Sequence, residues 1–208
     1  MKHCLLLLGV IAALAIGAPA YSQYIYMDLN GDQVCTSADA LTSSITAVDV
    51  WLDTNHNKDG TTATCVDPSK PLDIFSYGVL IHSQGSGTVT FNSWTNAAPN
   101  FALLINFRAA GPDMGVGYQL QPPGAVDPPG KYKLGTVNVT VTGTPTLIFL
   151  SLAPDPSFVD VTGFGSDCPA SVFGNTETLG YDFFDNCGTA GPTPTLNTTW
   201  GRIKQLYK

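Results

Sequence analysis

Charge is scarce in this chain. Only 12% of its 208 residues are charged, and the nine Lys and Arg are scattered. A nucleic-acid partner needs a basic face to displace phosphate counterions, so the composition excludes that class of function. Glu is nearly absent: of the 16 acidic residues, Glu177 is the single Glu and the rest are Asp. Asp suits turns and oxygen-rich cation loops whereas Glu suits helices, so this skew predicts a loop-rich β protein with little helix. Long apolar runs are also missing after the first 20 residues, and the one at the start, Cys4 to Ala18, is shorter than the roughly 20 residues a spanning helix needs. No membrane span is expected.

That first run follows Lys2 and His3 and ends in Ala18-Pro19-Ala20, the small-x-small pattern of a signal-peptidase site. Residues 1–20 therefore read as an export signal cleaved after Ala20, which predicts a mature chain that is secreted or at the cell surface. Cleavage removes Lys2 and no acid, moving the net charge from −7 to −8. Cys35, Cys65, Cys168 and Cys187 remain. An even count in an exported chain implies two disulfides, with three possible pairings. Cys35 follows one Asp-rich loop and Cys65 the next, so Cys35–Cys65 with Cys168–Cys187 is the simplest connectivity. A zinc site is the alternative, but no CxxC spacing supports it.

With 21 Gly, 15 Pro and many Thr and Val, the remainder reads as short strands between turns. Tyr24 to Asp28, Ile45 to Asp53, Leu72 to His82, Thr88 to Trp94, Phe101 to Phe107, Met114 to Leu120, Lys131 to Thr142, Thr146 to Leu152, Phe158 to Phe164 and Leu179 to Phe184 are the candidates. Ser37 to Ser43 suits one or two helical turns. About nine strands in residues 21–187 predict a single antiparallel β-sandwich domain, jelly-roll-like in type. Val48, Val50 and Leu52 form one face of the second strand, which leaves Trp51 on its polar face. Residues 188–199 are a Gly, Pro and Thr linker, and 200–208 form a short amphipathic tail with Trp200, Ile203 and Tyr207 at helical spacing.

Two stretches carry recognisable chemistry. Counting from Asp28, oxygen donors fall at positions 1, 3, 5, 9 and 12: Asp28, Asn30, Asp32, Thr36 and Asp39, with the Val34 carbonyl at position 7. That spacing suits a hard cation held in a curled loop, and calcium is the expected cofactor. The pattern resembles the calcium loop of dockerin repeats, in which an Asp closes the shell at position 12. It departs from that family at position 6, where Gln33 replaces Gly; a left-handed backbone there would cost a side chain about 1–2 kcal/mol. It also lacks a second repeat. The other stretch offers Asp53, Asn55, Asn57 and Asp59, but Thr64 stands at position 12. Asp67 or Asp49 is then needed to complete it, or the loop is an Asx-rich turn.

A broader resemblance covers Ile45 to Val141. VDVWLDT, SYGVLIHSQGSGTVTFNSW and GKYKLGTVNVTVTG follow in the order seen in cohesin-type sandwich domains of bacterial extracellular proteins, relatives of cellulose-binding modules. The resemblance implies a non-catalytic module with an extracellular protein or polysaccharide as partner. Catalysis has few candidate groups: Gln84-Gly85-Ser86-Gly87-Thr88, beside His82, lacks a nucleophile elbow and reads as a hairpin turn. No carboxylate pair stands out for glycoside hydrolysis. The leading expectation is a calcium-stabilised adhesion or scaffolding module. A glycan-binding module using Trp51, Trp94, Tyr118 and Tyr132 is the alternative, and an extracellular hydrolase is the least supported.

Overall fold

The computed structural model describes residues 24–56, 60–65, 67–98, 100–121, 126–150, 153–158 and 162–168, and the backbone of 184–185. The signal segment, the linker and the tail lie outside the described residues, as do Asn57, Asp59 and Cys187. Among the described residues there is no helix. The strands are β1 (Tyr24–Asp28), β2 (Ala47–Asp53), β3 (Ser76–Asn96), β4 (Leu103–Ala110), β5 (Asp113–Gln119), β6 (Lys131–Phe149), β7 (Gly163–Gly165) and β8 (Phe184–Asp185). The all-β class follows from the composition: β-branched residues fill a pleated, half-buried surface well, and Gly and Pro punctuate it.

The strands join in one sheet of order β4-β5-β3-β6-β2-β1-β8, with β7 beside the start of β3. All the pairings are antiparallel except β1 with β8. One wing holds β4, β5, β7 and the first half of β3. The other holds β2, β1 and β8 against the first half of β6. The long β3–β6 ladder, from Ile81 opposite Phe149 to Asn96 opposite Gly135, connects them. Ile25, Met27, Val48, Val50 and Leu52 of one wing and Val79, Ile81, Met114 and Val116 of the other are fully buried in a single cluster. A sheet face is buried only under a second layer.

Two expected turns are absent. Residues 84–88 and 143–145 are expected to end strands, but each lies inside a continuous strand, with Gly87 opposite Gly143. Left-handed backbone at Gly85, Gly87 and Gly143 (φ 92°, 139° and 72°) lets both strands bend without ending. Four of the ten candidate segments are therefore two strands, which leaves eight among the described residues. The helical turns expected over Ser37 to Ser43 are also absent.

Candidate metal centre

Alternation along β1 sends Ile25 and Met27 into the core and Tyr24, Tyr26 and Asp28 to the opposite face. Asp28 ends the strand, and the chain then curls. Gly31 and Gln33 have left-handed backbones, φ 79° and 63°, and Gln33 is the one non-glycine residue of that kind described. The curl turns successive amides inward. The Gly31 and Gln33 N–H groups donate to Asp28 Oδ1 and Oδ2 at 2.7 and 2.9 Å. From the far end, Asp39 accepts the Leu29 N–H on Oδ1 and the Thr36 N–H on Oδ2, each at 2.9 Å. Asp28 and Asp39 are almost completely buried, 2% and 1% exposed. They clamp the loop at its two ends.

Asp32 joins them: one carboxylate oxygen from each of Asp28, Asp32 and Asp39 lies within 4.8 Å of the others. The remaining expected donors serve the loop itself. Asn30 Oδ1 accepts the Asp32 N–H at 2.9 Å while its Nδ2 donates to Asp32 Oδ2 at 2.9 Å. The Thr36 hydroxyl accepts the Ala38 N–H at 3.2 Å, and Val34, whose N–H donates to Asp32 Oδ1, is exposed. A carboxylate oxygen has two lone-pair sites, so accepting one amide leaves each able to face a cation.

Two residues that the sequence did not nominate hold this loop to the sheet. The Tyr26 hydroxyl and the Lys131 ammonium both donate to the Gln33 carbonyl, at 2.6 and 2.5 Å. Lys131 Nζ also lies 5.5 Å from the Tyr26 ring centroid and 5.6 Å from that of Trp51. Tyr26 has a sequence signal, standing two residues before Asp28 on the same face. Lys131 has none, being 98 positions from its acceptor. Burial raises the Tyr26 phenol well above its ordinary range, and Tyr24 and the carboxylates of Asp28, Asp53 and Asp32 add to the effect.

The second loop is an Asx turn where it is described. Asp53 Oδ1 accepts the Asn55 and His56 N–H groups at 2.9 and 3.0 Å, and its Oδ2 lies 3.3 Å from His56 Nδ1. Among the described residues, neither expected completing residue joins it. Asp49 pairs with Lys133 Nζ at 2.6 Å and accepts from the Thr136 hydroxyl at 2.7 Å, and Asp67 accepts from Ser69.

The cysteines overturn the simplest connectivity. Cys65 is bonded to Cys168, 103 positions away, and Cys35 is in a disulfide of its own. Proximity in sequence misled because β7 runs beside the start of β3, which brings the segment after β7 to the loop that precedes β3.

The aromatic candidates are half-buried, not arrayed on an open face. Trp94, Tyr118 and Tyr132 pack against the core, with Tyr77 stacked on Tyr118 at 5.7 Å and tilted to Trp94 at 6.4 Å. Gly135 lies under Trp94, where a methyl group would strike the indole. Trp51 lies under Lys131. His82 Nδ1 is 2.7 Å from Asp113 Oδ1, a pair that bridges β3 and β5. No family model matches the chain, and no curated protein matches it either.

Proposed function

We propose that this chain is a secreted, non-catalytic β-sandwich module of the extracellular adhesion or scaffolding kind, with calcium in the 28–39 loop as a structural cofactor. The observation that carries the metal is the meeting of three carboxylate oxygens within 4.8 Å. Oxygens on opposite sides of a calcium ion bound at 2.3–2.6 Å stand roughly 4.6–5.2 Å apart, so this donor set fits one ion of that size. Asp28, Asp32 and Asp39 would hold it, with Asn30, Thr36 and the Val34 carbonyl near enough in sequence to complete the shell. The cation would offset two of the three clustered negative charges and stiffen the end of β1.

The export signal and the Cys65–Cys168 disulfide support an extracytoplasmic setting. The packing of the aromatic candidates against the core favours a protein partner over a polysaccharide. Scanning calorimetry of the mature chain in millimolar calcium and in chelator tests the reading. A melting temperature several degrees higher in calcium supports it, and coincident transitions would remove the metal from the account.

A further inference from the structure

Strand β4 ends the sheet, and among the described residues nothing pairs with its outer edge. Natural edges are blunted by charged residues, Pro or bulges; Leu103–Ala110 contains no Lys, Pro or acid, and its devices are the single Arg108 and one bulge. Leu104 and Ile105 are 47% and 55% exposed, and Leu103 and Phe107 are exposed as well. A bulge between Leu104 and Asn106 leaves Ile105 without a partner on β5. The exposed apolar surface is on the order of a few hundred Å², the size at which a patch marks an interaction site.

The polar groups on this strand indicate what fits it. Phe107 stands opposite Val116 and Ala109 opposite Met114, so both lie on the core side of the sheet. Asn106 and Arg108 occupy the other side. Asn106 Nδ2 donates to the Ser157 carbonyl at 2.8 Å, and its Oδ1 has no partner among the described residues. The Arg108 guanidinium lies over the Phe158 ring at 5.2 Å, with the Asp155 carboxylate near enough to interact with it electrostatically, and makes no hydrogen bond among the described residues. A stacked guanidinium keeps its in-plane N–H donors free. A free acceptor and a free donor therefore flank Phe107 symmetrically, one residue on either side.

We propose that β4 pairs antiparallel with β4 of a second copy of this chain, about a two-fold axis through Phe107. In that register Phe107 faces its own copy, an aromatic cross-strand pair. Asn106 faces Arg108 of the second copy and Arg108 faces its Asn106, so the unused acceptor and donor meet twice. Ile105 faces Ala109, large against small. No acid and no second Arg is opposed, which matters for a chain of net charge −7. Five facing residues and a few hundred Å² are at the low end for an interface, so the dimer is weak and concentration-dependent. It is independent of the calcium loop.

Sedimentation equilibrium of the mature chain from about 10 µM to about 1 mM reads it directly. The apparent mass should climb toward twice the monomer, and Phe107→Lys, which sets two ammonium groups face to face, should hold it at the monomer with unchanged near-ultraviolet dichroism. Facing residues on paired strands are within disulfide reach, so Phe107→Cys should link two copies on mild oxidation. Ala110→Cys, whose two copies this register holds about 20 Å apart, should not. A monomer throughout the range, association indifferent to Phe107→Lys, or equal linking at both positions overturns the proposal. So does a monomer whose β4 amides resist hydrogen exchange, since another segment would then occupy the edge.

Discussion

Gly87 of β3 faces Gly143 of β6, and both residues hold left-handed backbones, so the two longest strands bend at the same rung of their ladder. The bend is what allows a single pair of strands to serve both wings of the sheet. Its residues are exposed on either strand, whereas the valines beyond it, Val89 and Val141, return to the core.

Substitution at this rung should be costly. A methyl group on Gly87 would overlap the Thr142 carbonyl oxygen, and one on Gly143 would lie 2.7 Å from the Ser86 carbonyl oxygen. Gly87→Ala and Gly143→Ala are each expected to lose about 2–4 kcal/mol, read from urea unfolding. A loss below 0.5 kcal/mol at both would show that the bend is not required.

Alkaline pH should unfold the protein through its tyrosines. Burial raises the phenols of Tyr26 and Tyr77 above their ordinary value, so the folded state favours their protonated forms. The contribution is complete below the unfolded pKa of about 10 and is lost as pH rises beyond it. Melting temperature should stay level on this account from about pH 7 to 9 and fall above about 10, with the last part of the phenolate absorbance appearing only as structure is lost. Free titration of every tyrosine in the folded state would contradict it.

The Gln33 carbonyl takes two donors, Tyr26 and Lys131, and their effects should not add. Tyr26→Phe and Lys131→Met are each expected to cost about 1 kcal/mol. The double variant should differ from the sum by about 0.5 kcal/mol or more in a thermodynamic cycle. Strict additivity would mean that the two side chains act separately.

Non-reducing peptide mapping should recover Cys65 joined to Cys168. Cys35 is also oxidised, so it should not be recovered as a free thiol. Loops near 100 residues contribute about 4–5 kcal/mol in the chain-entropy model, so Cys65→Ala with Cys168→Ala should lower stability by that order. A peptide pair carrying Cys35 and Cys65 would refute the connectivity.

Much of this architecture was legible in the sequence. Tyr24 to Asp28 is a strand with the expected bounds, and Val48, Val50 and Leu52 turn to the core as alternation requires. Asp28, Asp32 and Asp39 meet as their spacing demands, since a curled loop of 12 residues is a local object. The failures share a cause. Gly-rich segments signal left-handed backbone but not whether the chain reverses there, and only a partner strand bending in step distinguishes a kink from a turn. Lys131 and the Cys65–Cys168 bond depend on contacts about 100 positions apart, which no local pattern encodes.

Calorimetric titration of calcium into the chelator-stripped mature chain, beside the Asp39→Ala variant, bears most directly on the loop at residues 28–39. One saturable site in the parent chain, lost in the variant, is the result this account predicts. No binding at millimolar calcium, or binding that survives Asp39→Ala unchanged, would contradict it.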